Sequence, residues 1–185
     1  MILRGPVNNL TFAIRIVAVC VCAAVAAAAE AGQVAPALSF DKARWIWFTQ
    51  DDKLPLNSFP EGAVYFRAAF VLPDGAAVGT AEAAITADNL YSLFVNGKLA
   101  GENCSEPDAW NLPARFNLKQ HLVPGRNVIA IEASNTAPGP AGLIMTLSVL
   151  LADGRQVTAD SGESWKSGNT ADIPWRRPDF DDSTW

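Results

Sequence analysis

Beyond residue 60 the chain alternates between apolar and polar positions. Val64, Phe66, Ala68 and Phe70 fall on one face of an extended segment, with Tyr65, Arg67 and Val71 on the other. That period of two predicts a strand over 64–72, closed by the turn residues Pro73-Asp74-Gly75. The same period places Ala81, Ala83, Ile85 and Ala87 together over 81–87, and Leu143, Met145, Leu147, Val149 and Leu151 together over 143–151. In the stretch 88–101, Tyr91, Leu93 and Val95 share a face opposite Ser92 and Phe94. Asn96-Gly97 then supplies the two positive-φ residues that a two-residue hairpin turn requires. The unbroken run Val128-Ile129-Ala130-Ile131 predicts a strand over 127–133 buried on both sides. Asp153-Gly154 predicts a second hairpin turn, with a return over 155–159. Residues 116–122 predict a short helical or irregular turn before Pro124-Gly125. Residues 43–48 predict a β-rich start to the ordered chain, with Trp45 and Trp47 on one face. After residue 29 no segment carries an apolar stripe of helical period, so the expected fold class is all-β, an antiparallel β-sandwich.

The first residues follow a different pattern. Arg4 and Arg15 precede an apolar run from Ile16 to Ala29 that ends in alanines, the layout of a secretory signal peptide. A membrane anchor needs roughly 20 apolar residues, and this run is shorter. A lipoprotein signal wants a small residue before its cysteine, whereas Val19 and Val21 precede Cys20 and Cys22. The expected organisation is a signal peptide over 1–29, a linker over 30–42 and a sandwich over 43–185, in a secreted or periplasmic protein. Removing the leader takes two of the 14 basic residues and none of the 19 acidic ones, which moves the net charge from −5 to −7. Such an acidic domain has no electrostatic case for nucleic acid or an anionic membrane surface. Of the three cysteines only Cys104 then remains. It cannot form an internal disulfide, and the expectation is a small, partly buried residue rather than a reactive thiol.

In chain order, several motifs carry a resemblance: Tyr65-Phe66-Arg67-Ala68-Ala69-Phe70, Tyr91 through Val95-Asn96-Gly97-Lys98, and Val123 through Ile131. Asp153-Gly154, Ser164-Trp165-Lys166 and Phe180-Asp181-Asp182-Ser183-Thr184-Trp185 follow. The set, covering nearly all of 43–185, resembles the galactose-binding-like jelly-roll modules attached to glycoside hydrolases. Among these are the N-terminal sugar-binding-type domain of the β-galactosidase/β-glucuronidase family and the accessory modules of bacterial α-L-rhamnosidases. The resemblance implies a non-catalytic module that binds carbohydrate or braces a catalytic or other adjacent domain. A purely structural module of a large exported protein is the alternative. In the resembling domains more chain follows the last motif, which implies a sandwich cut short at Trp185 and a fragment of a longer protein. Ligand-contacting positions vary within that family, so the resemblance transfers no binding residue.

The residues themselves make a poor case for catalysis. His121 is the one histidine, with no nucleophile motif to serve, and is expected to be structural or at the surface. Glycoside hydrolysis needs two carboxylates held ~5–10 Å apart across a sugar. Asp51-Asp52 and Asp181-Asp182 are adjacent pairs, expected to be solvated turn residues. No zinc spacing, phosphate loop or dinucleotide fingerprint occurs. Asn103-Cys104-Ser105 has the spacing of a glycosylation acceptor, a short motif that chance often supplies. Binding is chemically easier, because an aromatic face can stack on sugar C–H groups while Asp and Asn bond hydroxyls, and loops at one end of a sandwich bring such groups together. The carbohydrate-binding candidates are Asp88, Asn89, Glu102, Asn103, Trp110 and Asn135. For Trp110 stacking on a ligand competes with packing over its own loop, and for Trp45 and Trp47 a sugar platform competes with burial in the core. No cofactor is expected beyond a structural calcium held by loop oxygens, which is left open.

Overall fold

The computed structural model describes residues 38–50, 53–55, 57–171 and 173–185. The expected leader, most of the linker and the Asp51-Asp52 pair lie outside the described residues. Nine strands follow one another: β1 (Gly62–Leu72), β2 (Val78–Asp88), β3 (Leu90–Val95), β4 (Lys98–Asn103), β5 (Ala114–Asn117), β6 (Gly125–Asn135), β7 (Gly142–Leu151), β8 (Gln156–Asp160) and β9 (Lys166–Gly168). They form two antiparallel sheets, a five-stranded one in the order β4-β3-β6-β1-β9 and a four-stranded one in the order β5-β2-β7-β8. The expected all-β sandwich is the fold. Its core lies between the sheets. Phe66 of β1 and Leu93 of β3 both stand opposite Ile131 of β6, and Ala83 and Ile85 of β2 stand opposite Leu147 and Met145 of β7. All seven are buried.

The Asn96-Gly97 turn forms as expected, with φ of 51° and 82°. Its asparagine also ties the hairpin to β6. Asn96 Nδ2 donates to the His121 carbonyl at 2.9 Å and to Asn127 Oδ1 at 2.8 Å, while its Oδ1 accepts from the Val128 amide at 2.9 Å. His121 is half-buried, and its main-chain carbonyl is what takes part here.

Three expectations change. Residues 43–48 form no strand, only an isolated bridge between Ile46 and Leu143. The reason is register. β8 pairs with β7 over Thr146–Leu150, so Leu143 lies beyond its reach and one residue of the incoming chain takes the vacant place. The short helical turn expected over 116–122 is present as a 3₁₀ turn at Lys119–His121, and what changes is its start, since residues 116 and 117 end β5. Finally, β7 is buried on both faces rather than one, with only Leu150 partly open. Its polar positions are bonded, as burial demands: Thr146 donates to Asp160 at 2.6 Å, and Ser148 accepts from Gln156 at 3.0 Å.

The last residues cover the outer face of the five-stranded sheet. Trp175, in the 3₁₀ turn Ile173–Arg176, is 2% exposed and packs with Phe94 and Ala130, flanked by Tyr65, Ala171, Phe180 and Trp185. Its ring meets Tyr65 edge-on at 5.0 Å and stacks on Trp185 at 6.3 Å. Beneath them Arg67 is 1% exposed. A buried guanidinium needs acceptors, and it donates to Asp182 at 2.8 Å and to the carbonyls of Trp175 and Arg177. Asp182 also pairs with Lys166 at 2.9 Å. The Asp181-Asp182 pair, expected to be solvated, is therefore divided. Asp181 is exposed and accepts from the Ser183 amide, whereas Asp182 is an internal anchor. Burial works to raise the Asp182 carboxyl, but hydrogen bonds from Arg67 and Lys166 outweigh it and hold the group below its ordinary value.

Candidate carbohydrate-binding cleft

At the end of β2, Asp88 shares the outer face of the four-stranded sheet with Thr86, and it stands opposite Gly142, the first residue of β7. Three pieces of chain meet over this corner. The segment through Ile46 is fastened by its two backbone bonds with Leu143, both 2.9 Å. The 3₁₀ turn Ala109–Asn111 is drawn down by Thr86, whose hydroxyl donates to the Trp110 carbonyl at 2.9 Å. The Pro140-Ala141-Gly142 entry to β7 completes the wall. Between them lies a cleft of about 890 Å³, lined by Trp45, Ile46, Trp47, Thr49, Phe59, Asp88 and Trp110 together with that entry.

Trp45 and Trp110 are each 49% exposed. Trp47 forms the base instead, tilted against Phe59 at 6.3 Å and Phe66 at 5.9 Å. The two tryptophans of 43–48 thus separate, Trp47 towards the core and Trp45 towards solvent. Gly142 makes the position of Trp45 attainable. A Cβ there would lie 2.7 Å from ring atom Cε3, closer than real side chains approach.

Asp88 is half-buried, and burial, followed by the charge of nearby Asp108, raises its carboxyl above the usual value. Asn89 Nδ2 donates to Asp88 Oδ1 at 2.9 Å and fixes its orientation. Asn89 is otherwise engaged with the protein: Nδ2 also reaches the Pro107 carbonyl, and Oδ1 accepts from the Thr136 amide and hydroxyl. Asn135 is 3% exposed and donates to the carbonyls of Phe59 and Pro60, holding the segment that brings Phe59 to the cleft. Asn103 folds over its own loop, donating to the Glu106 carbonyl and accepting from the Glu106 amide. Glu102 sits exposed on β4 opposite Ser92, away from the cleft wall. Of the six candidates, two line the cleft directly, Asp88 and Trp110. Asn89 stands behind Asp88, and Asn135 supports the wall from below.

Phe59 and the 140–142 entry were not among the sequence candidates. The signal for the entry is the Pro/Gly-rich run 138–142 between two apolar strands; for Phe59 there is none. Cys104 departs from expectation, since it is exposed. It follows directly after the edge strand β4, with its sulfur 3.9 Å from the Ser92 hydroxyl. Among the described residues no three His, Cys, Asp or Glu side chains gather as a metal-ligand group.

The cleft presents two half-open indole faces with one oriented carboxylate among largely apolar surroundings. It can stack on C–H surfaces and accept hydrogen bonds from hydroxyls.

No protein-family model matches the chain. The α-L-rhamnosidase of Streptomyces avermitilis is 38% identical over 151 residues, which are 80% of this chain and 14% of that relative. The crystal structure of the Streptomyces avermitilis α-L-rhamnosidase complexed with L-rhamnose superposes with a TM-score of 0.73 at 36% identity, over 82% of this chain and 14% of the other. A lectin from Pleurotus ostreatus in complex with GalNAc superposes with a TM-score of 0.66 at 27% identity, over 77% of this chain and 41% of the lectin. The chain thus spans a module's share of the curated relative.

Proposed function

We propose that this chain, a jelly-roll module of the galactose-binding-like kind found in glycoside hydrolases, binds carbohydrate in the cleft between Trp45 and Trp110 on behalf of a larger exported enzyme. The observation that carries this reading is the cleft itself, where two tryptophans stay half in solvent beside an oriented Asp88. Burying such rings is favourable, so leaving both open at one concave site suits a stacking surface. The likeness to a lectin complexed with GalNAc and to an α-L-rhamnosidase complexed with L-rhamnose supports a sugar as the ligand. It also supports an α-L-rhamnosidase as the parent enzyme. The basic and then apolar leader supports export. Titration of the protein with L-rhamnose and with GalNAc, followed by tryptophan fluorescence and by calorimetry, tests the reading. A saturable signal that disappears in Trp110→Ala is the expected result, and no heat with any sugar would overturn it.

A second reading has its own support. The chain spans 14% of its curated relative, and Leu112, 71% exposed, lies two residues after Trp110. An apolar rim beside the cleft suits packing against another part of a long enzyme. In that case the sugars give no signal, and Leu112→Asp loosens the module within the full-length parent.

A further inference from the structure

We propose that Asn96 is a deamidation site which the folded hairpin holds shut, and that its conversion to an acid loosens β3 and β4 from β6 irreversibly. The inference is independent of what the cleft binds. The reacting pair is Asn96-Gly97. The Gly97 amide nitrogen attacks Asn96 Cγ and gives up its proton, the side-chain nitrogen leaves as ammonia, and a five-membered succinimide closes. Water then opens that ring at either carbonyl. One opening gives aspartate, and the other gives isoaspartate, in which the main chain runs through the former side chain. One water is consumed and one ammonia is lost, with no oxidant or reductant. Glycine suits the attack because no Cβ crowds the approach to its nitrogen.

The fold opposes the first step. Turning the Asn96 amide carbon onto the Gly97 nitrogen means giving up three bonds, to the His121 carbonyl, to Asn127 Oδ1 and from the Val128 amide. On its other side the turn is backed by the chain at Arg176 and Arg177. The Arg176 carbonyl oxygen lies 3.7 Å, and Arg177 Cα 3.9 Å, from where a Gly97 Cβ would stand.

The product does not fit the place it leaves. A carboxylate has no hydrogen to donate, so its oxygen faces two acceptors, the His121 carbonyl and Asn127 Oδ1. Asn127 is fully buried and its amide has no freedom to turn round. Its Oδ1 already accepts from the Val123 amide, and its Nδ2 donates to the Val123 and Gly125 carbonyls. A charge brought against such a group lacks both water and a donor. Isoaspartate adds a main-chain carbon, for which a two-residue hairpin turn has no room. Either product weakens the tie between the hairpin and β6.

The test ages the chain in mildly alkaline buffer, folded and in urea, and follows the peptide carrying Asn96 by mass spectrometry. Conversion should be slower in the folded chain by about tenfold or more, as the net worth of three hydrogen bonds implies. Equal rates would overturn the holding, and no conversion in urea would overturn the site. Anion exchange then separates the converted chain by its extra negative charge. This material has folded before it reacts, so the test does not depend on Asn96→Asp folding from synthesis. Its unfolding midpoint should be lower, and hydrogen exchange at the β3 and β4 amides should be faster. A midpoint and exchange rates equal to those of the unconverted chain would overturn the loosening.

Discussion

Two corners of this sandwich are built from the same kinds of residue and leave them in opposite conditions. Over the five-stranded sheet, Trp175 and Trp185 close on Tyr65, Phe94 and Phe180, and the charge beneath them, Arg67, is bonded to a carboxylate and two carbonyls. Over the end of the four-stranded sheet, Trp45 and Trp110 stand half in solvent beside a carboxylate that one asparagine holds from behind. Aromatic rings and a buried charge make a structural clamp where the Arg67 guanidinium is bonded and the rings pack on one another. They make a candidate binding site where the rings stay half in solvent. Residue type alone does not separate the two conditions, but packing and bonding do.

The contrast is broken most severely at Trp175. It is 2% exposed and central to its cluster, so Trp175→Ala should cost about 3–5 kcal/mol, as large-to-small changes at buried aromatics do. Urea unfolding should show the midpoint falling, and a loss below about 1 kcal/mol would mean that the C-terminal cover contributes little to the fold.

Next in size comes the charge under that cover. Asp182→Ala leaves a fully buried guanidinium with carbonyls alone, and breaking such a pair from one side costs about 3 kcal/mol. Asp182 is itself a fifth exposed, which places the expected loss at or somewhat under that figure. The same carboxylate predicts an acid limit. Its folded pKa lies below its ordinary value, so its contribution is complete above about pH 4, the range of an unfolded aspartate. That contribution is lost as the pH falls through the depressed folded value. Melting curves taken from pH 6 down to pH 2 should show a drop in the wild type that is weaker in Asp182→Asn. Parallel curves would exclude Asp182 as the group responsible.

These two regions also differ in how far the sequence reveals them. Period-two alternation and the Asn96-Gly97 turn are local signals, so the sheets, the hairpin and most of the core are legible without coordinates. The partner of Arg67 is not, because Asp182 lies 115 residues away; only the chain's return over the sheet outside makes an exposed-looking motif internal. At the cleft, Asp88 and Trp110 are legible as a strand-end acid and a loop aromatic. Trp45 is ambiguous because 43–48 has strand-like residues and no strand to join beyond Leu143. Asn135 and Asn103 look like ligands by type, yet their amides are engaged by backbone that sequence cannot place.

The binding corner answers differently to the same substitution. Trp45→Ala and Trp110→Ala remove rings that are half in water, so stability should change by about 1 kcal/mol or less, while sugar affinity should fall by tenfold or more if stacking carries about 1–2 kcal/mol as aromatic contacts do. Chemical unfolding and calorimetric titration of the same samples separate the two quantities. Should both fall together, as at Trp175, the rings are structural and the contrast between the corners disappears.

The smallest expected effect sharpens the comparison most. Gly142 contributes no side chain to the cleft, but its missing Cβ lets the Trp45 ring lie against the start of β7. In Gly142→Ala the new methyl meets that ring at a distance no packed pair maintains, and because Trp45 is half exposed the indole is free to tilt outwards. Folding should therefore change little. The stacking plane moves, so sugar affinity should drop several-fold and the tryptophan emission of the free protein should shift as Trp45 enters more water. A structural glycine would show the reverse, a lower unfolding midpoint with binding intact. Gly101 gives the control for that outcome: there a Cβ would run into the ring of Phe116, which packs against the core, and Gly101→Ala should destabilise the sandwich and leave the cleft unchanged.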